Sequence, residues 1–165
     1  MFYLLWDASA LAKRFWPELG RDTVNALFSQ VPRTQMVTTI LSYSETYAVL
    51  ARAFHRGQIS QLNHTAASTA LAQEVIEDVD FVVLGVEFND ILHGIELIDR
   101  YHLNSADASI LQAFLRFASQ QHTPCSCVVV AADQRLLRAA KAEGLAMLNP
   151  ETLPAVDVMA FLAAL

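Results

Sequence analysis

Four carboxylates stand where an acid could do more than meet water. Asp7 directly follows an apolar run, Phe2–Trp6, and Glu45 lies in the first turn of a helix placed behind a second run, Met36–Thr39. Asp107 opens a helix just past the break Asn104-Ser105-Ala106, and Asp133 follows Val128-Val129-Val130-Ala131-Ala132. Taken singly, each has a structural reading, because Asp is a favoured N-cap and an acid in a first turn gains about 0.3–1 kcal/mol from the helix dipole. Ser42-Tyr43-Ser44-Glu45 fits a capping box, with Glu45 reaching back to the Ser42 amide. Taken together they read differently. Like charges crowded on one rim raise one another's pKa unless a cation joins them, so convergence implies metal. An all-oxygen donor set, with no His or Cys at ligand spacing, suits a hard cation such as Mg²⁺ or Mn²⁺ rather than zinc. Such sites act chiefly on phosphate esters: the cation lowers the pKa of a water, so no histidine base is required, and it stabilises charge on the phosphate oxygens.

The elements that must position these acids follow from periodicity. Short apolar runs at Phe2–Trp6, Met36–Thr39, Phe81–Leu84, Cys127–Ala131 and Ala146–Leu148 are predicted strands. Amphipathic stretches at Ala8–Phe15, Glu18–Gln30, Ser42–His55, Ser60–Asp78, Glu87–Tyr101, Ala106–Gln121 and Gln134–Glu143 are predicted helices, with Ile59, Leu62, Ala66, Ala70 and Val75 as the apolar stripe of the fourth. Pro17, Pro32, Gly57, Gly144 and Pro150 fall at the boundaries. Strands alternating with helices predict an α/β fold with a parallel sheet, read as one domain from residue 1 to 165. All strands of such a sheet end on one edge, where ligands bind, so three of the four acids share a rim by topology alone and Asp107 can join them.

Composition excludes several other classes. A chain of 165 residues, 54% hydrophobic, can fill a core of its own, and charged residues amount to only 17%, with no acidic or basic tail. Cys125 and Cys127 offer neither a second zinc pair nor good disulfide geometry and are expected to be reduced packing residues. His55, His64, His93, His102 and His122 are scattered, and there is no nucleophile elbow, phosphate-cradling glycine loop or dinucleotide fingerprint. No apolar run approaches the ~20 residues of a membrane span, and the first residues do not read as a signal peptide, so a cytoplasmic protein without membrane contact is expected. The net charge of −6 opposes nucleic-acid binding, which usually needs a basic footprint.

The blocks Asp7-Ala8-Ser9-Ala10-Leu11-Ala12-Lys13-Arg14-Phe15, Ser42-Tyr43-Ser44-Glu45-Thr46-Tyr47-Ala48, Ser105-Ala106-Asp107-Ala108 and Asp133-Gln134-Arg135-Leu136-Leu137 occur in this order over nearly the whole chain. They resemble PIN-domain ribonucleases, most closely the VapC-type toxins of toxin–antitoxin pairs. The resemblance implies a three-layer fold, with a central parallel sheet of four to five short strands between helices, and Mg²⁺- or Mn²⁺-dependent cleavage of single-stranded RNA. It carries the catalytic and metal-binding roles to Asp7, Glu45, Asp107 and Asp133, with Asp7 and Asp107 as direct ligands and Ser9 as a hydrogen-bonding support. Ala131 stands where relatives often have Thr or Ser, and Asn104 where they often have a basic residue. The resemblance also implies a cognate antitoxin, whose apolar segment would cross the helices carrying Phe15, Trp16, Leu19, Val24, Leu27 and Phe28, and a homodimer.

Arg52 and Arg56 share one helical face with Glu45 and are candidates for RNA phosphates, as are Lys13 and Arg14; Arg135 and Arg138 read rather as solvated or locally paired. One competing class is a PIN-like module that binds RNA or protein with little catalysis. Another is a different Mg²⁺ phosphotransfer fold. A haloacid-dehalogenase phosphatase would want Asp-x-Asp where Asp7-Ala8-Ser9 stands, and a receiver domain would want paired acids and a strand-final lysine, which the chain lacks. Setting aside the four acids leaves 13 acids against 11 bases, so most of the −6 belongs to the metal-binding set, and RNA binding is expected to depend strongly on metal.

Overall fold

The computed structural model describes residues 1–121 and 126–165. His122 and Cys125 lie outside them, so the cysteine-pair expectation is followed only at Cys127, which is buried. Strands β1 (Phe2–Trp6), β2 (Met36–Thr39), β3 (Val82–Leu84), β4 (Ser126–Val130) and β5 (Ala146–Leu148) form a parallel sheet in the order β3-β2-β1-β4-β5. Their side chains alternate between two cores. Leu4, Trp6, Met36, Val128 and Val130 face one core with Leu11, Leu27, Leu50 and Leu71, while Leu5, Val37 and Val129 face the other with Leu97, Ile110, Phe114 and Leu137. The first core is closed by α1 (Ala8–Phe15), α2 (Arg21–Gln30), α3 (Ile40–His55), α4 (Gln61–Leu71) and α8 (Val158–Ala163). The second is closed by α5 (Phe88–Tyr101), α6 (Ser105–Ser119) and α7 (Gln134–Ala142). The expected three-layer α/β architecture is present, and among the described residues no helix is long and apolar enough to cross a membrane.

Four local differences from the sequence expectation have physical causes. Helix α2 begins at Arg21 rather than Glu18, because Gly20 turns the chain at φ 87° and lies so close to Pro150 that a Cβ would sit 2.8 Å from the Pro150 carbonyl carbon. Helix α3 begins two residues early, because Thr39 rather than a later serine caps it. The stripe assigned to the fourth helix is only partly right: Val75 is buried as expected, but Leu62 is 77% exposed and Ala66 is exposed, and Leu71 is buried in their place. The inward face instead carries His64, Ala67, Leu71 and Val75, and the ring of His64, not Leu62, meets Tyr47 and Phe54 of α3. Helix α8 escaped the reading because six residues are too few to show a period.

Candidate active site

At the carboxyl edge of the sheet the chain turns from strand to helix repeatedly, and each turn places an acid. Asp7 leaves β1 with its amide donating to the Val130 carbonyl at 3.0 Å, which fixes it against the end of β4. Its side chain caps α1, accepting the Ser9 amide at 2.9 Å and the Ser9 hydroxyl. The same Ser9 oxygen accepts the amide of Ala132 at 2.9 Å, with the Asp133 amide at 3.4 Å. One hydroxyl therefore ties the Asp7 carboxylate to the turn that carries Asp133. Asp133 in turn caps α7, accepting the amides of Arg135 at 2.7 Å and Leu136 at 3.2 Å.

Asp107 sits in the first turn of α6, where the Asn104 side chain both accepts its amide at 2.8 Å and donates to its carboxylate at 2.9 Å. Glu45 needs a correction. Because Thr39 caps α3 by accepting the Ser42 amide at 2.9 Å, Glu45 falls in the second turn and does not close a capping box on Ser42. It is left facing the other acids.

The four carboxylates line one cleft of about 270 Å³ together with Ser9, Val49, Arg52 and Asn104. A larger hollow of about 600 Å³, between residues 17–23 and 150–155, holds none of the four. Burial, then the charges of Asp7, Asp133 and Glu45, push Asp107 from 3.8 to about 6, against a smaller opposing pull from Arg135. Burial and the charge of Asp7 raise Glu45, with Arg52 pulling the other way. Asp7 is raised mainly by burial, with Ser9 opposing. In three of the four acids, therefore, the local environment disfavours the charge.

The chemistry of the donor set fits a hard divalent cation, which would relieve that penalty. In the geometry shown, no group of three His, Cys, Asp or Glu side chains among the described residues is placed to hold one ion. Three of the acids are instead held in local hydrogen bonds: Asp7 by Ser9, Asp107 by Asn104 and Asp133 by the α7 amides.

The basic candidates separate clearly. Arg52 lines the cleft, and Arg56 is exposed one turn further on, at the C-cap of α3. Lys13 and Arg14 do not turn toward the acids. Lys13 is buried and paired with Glu151 at 2.7 Å, with Glu18 at 3.5 Å. Arg14 is bound to Glu74 at 3.0 Å and Asn25 at 2.7 Å. Their expected role toward RNA is therefore corrected to local structure. Asn104, which stands where relatives often have a basic residue, holds Asp107 from both its amide and its carboxylate. The legible signal for its role was its place three residues before an acid at a helix start.

A parallel sheet in the order 3-2-1-4-5, with acids gathered at its carboxyl edge, defines an α/β protein that carries its site in the strand-to-helix turns. The PIN domain family model matches residues 4–142, and the chain belongs to that family. A comparison with curated proteins gives no match.

Among solved structures the chain is similar to PAE2754 from Pyrobaculum aerophilum, with TM-score 0.66, 21% identity, and coverage of 96% of this chain and 98% of that one. It is similar to VapC20 of Mycobacterium tuberculosis, a sarcin–ricin loop cleaving toxin, with TM-score 0.62, 18% identity and coverage of 92% and 99%. It is also similar to FitAcB from Neisseria gonorrhoeae, with TM-score 0.61, 13% identity and coverage of 91% and 99%.

Proposed function

We propose that this chain, as one domain over residues 1–165, is an Mg²⁺- or Mn²⁺-dependent endoribonuclease that cleaves single-stranded RNA in the cytoplasm. In this reading it is the toxin of a VapBC-type pair. The observation that carries the nuclease reading is the gathering of Asp7, Glu45, Asp107 and Asp133 from four separate elements around one cleft, at a cost in charge that burial and mutual repulsion make plain. The PIN family match and the likeness to VapC20 point the same way.

Asp7 and Asp107 would be direct ligands, and Glu45 and Asp133 would complete the set. A divalent cation held by these four acids would supply Lewis acidity toward a phosphate oxygen and a water of lowered pKa. Ser9 holds the Asp7 carboxylate in one rotamer against the β4 turn, and Asn104 holds that of Asp107. Arg52, with Arg56 beyond it, receives the phosphates that leave the cleft.

Protein partners belong to the same proposal. Of the six residues expected to meet an antitoxin, Val24, Leu27 and Phe28 are buried in the core, but Phe15 and Trp16 line a cavity of about 490 Å³ with Ile59 and Ala67, edged by Arg21 and Asn63, that would seat an antitoxin segment. On α5, Phe88, Ile91, Leu92 and Ile95 form an exposed stripe at helical spacing, which suits a second copy of the chain in a homodimer.

The test is incubation of purified protein with single-stranded RNA in Mg²⁺, in Mn²⁺ and in EDTA, with cleavage expected only in the first two. Growth arrest relieved by the neighbouring open reading frame would test the toxin role. A second reading, a PIN-like module that binds RNA or protein with little catalysis, draws support from the absence of a three-acid ligating group among the described residues. It would give metal or RNA binding without turnover.

A further inference from the structure

The eleven Lys and Arg residues divide into two sets. Lys13, Arg14, Arg33, Arg100 and Arg116 are each within ion-pair distance of carboxylates that lie outside the acidic cleft. Among the described residues, Arg21, Arg52, Arg56, Arg135, Arg138 and Lys141 form no ion pair. Four of these six follow a cleft acid along a helix: Arg52 on α3 and Arg56 at its C-cap come after Glu45, and Arg135 and Arg138 on α7 come after its N-cap Asp133. Arg56, Arg135 and Arg138 are exposed, and buried Leu136, Leu137, Ala139 and Ala140 keep the two α7 arginines on the outward face.

Topology sets the two pairs apart. β2 and β4 are the two neighbours of β1, α3 leaves β2, and α7 leaves β4, so the pairs stand on opposite sides of Asp7. Within each pair the helical rise separates the two arginines by about 6 Å on α3 and about 4.5 Å on α7. The Asp133 carboxylate holds the first amides of α7, so the position of this second pair is tied to the cleft itself. Arg135 is also close enough for its charge to act on Asp107.

An acidic cleft repels a phosphate backbone. A strand held on one side only would swing away from it, and anchoring on both sides forces the intervening phosphate over the acids. We infer that Arg135 and Arg138 form a second phosphate-binding flank opposite Arg52 and Arg56, so that one RNA strand crosses the cleft held on both sides of the bond facing Asp7 and Asp107. This rests on the proposed ribonuclease reading.

Binding of a labelled single-stranded RNA about a dozen nucleotides long, followed by anisotropy across salt concentration, tests it. Ca²⁺ replaces Mg²⁺ so that the strand stays whole, which a gel verifies. Single strands lose about 0.7 in the slope of log affinity against log salt for each phosphate contact. The Arg135→Ala, Arg138→Ala variant and the Arg52→Ala, Arg56→Ala variant are each expected to flatten the slope by about 1.4. Arg135→Lys, Arg138→Lys should keep the wild-type slope, as should Arg21→Ala, whose side chain lies off the cleft.

A wild-type slope in Arg135→Ala, Arg138→Ala overturns the second flank, and so does equal flattening by Arg21→Ala. Wild-type protein that cleaves RNA in Mg²⁺ while this slope stays unflattened keeps the nuclease reading and loses the track. Flattening in a protein that never cleaves keeps the track and loses the nuclease.

Discussion

Asp90 and Asp107 occupy the same position, the third residue of the first turn, on the packed helices α5 and α6, yet their surroundings drive them in opposite directions. Asp90 is buried, and burial alone would raise it. Against that, Arg116 grips both its oxygens at 3.0 and 2.9 Å, and the Glu87 amide donates to it at 2.8 Å, so its carboxyl is held below the ordinary range. Arg116 also binds the Gly85 carbonyl and Glu87, closing the turn between β3 and α5. Asp107 receives only an asparagine and faces three further acids, and it rises to about 6. A carboxylate that stabilises a fold is given its counter-ion by the chain. Asp107 is given none, as the proposed cation site would require.

The largest expected effect breaks the cleft while leaving the brace intact. Asp7→Asn or Asp107→Asn should lower metal-dependent RNA cleavage by about two orders of magnitude or more, since the cation's charge stabilisation is worth several kcal/mol. Their melting temperatures should not fall, because each removes a charge that burial and repulsion disfavour. Breaking the brace should do the reverse. Asp90→Ala leaves the Arg116 guanidinium without its principal partner and should cost about 2–4 kcal/mol in denaturant titration, somewhat below the figure for a fully buried pair because Arg116 is 24% exposed.

Proton linkage sharpens the contrast in sign. The depressed Asp90 adds stability that is present above the usual carboxylate pKa and is lost as pH falls through its lowered value. The raised Asp107 binds its proton more tightly in the folded chain, so its contribution is full below about 3.8 and is lost as pH rises to about 6. Mg²⁺ should therefore raise the melting temperature more at pH 7 than at pH 5, which differential scanning fluorimetry can follow. The smallest effect is that of Asn104→Ala, which should cost about 1 kcal/mol as the loss of a helix cap while leaving the Asp90 region unchanged in hydrogen exchange.

The same contrast explains what could be read from the chain. Strand runs such as Val128-Val129-Val130 announce themselves because both faces of a parallel sheet are buried, and an acid just past such a run lands on the carboxyl edge by topology. Partner choice is not local. Lys13 and Arg14 resembled free cations near the site until Glu151 and Glu74, 138 and 60 residues away, took them. The capping-box spacing at Glu45 was misleading because a better cap, Thr39, lay three residues upstream of Ser42, whereas the true capping box is formed by Glu87 and Asp90. The phase of α4 was hidden because its inward face opens on His64, a polar residue that stacks on Phe54, while the apolar Leu62 points outward.

Calorimetric titration of Mn²⁺ into the metal-free protein at neutral pH, for the wild type and for Asp107→Asn, tests most directly that the uncompensated acids form a cation site. Saturable binding by the wild type that is lost or strongly weakened in Asp107→Asn is the predicted result. Equal binding by both proteins, or none by the wild type, would contradict it.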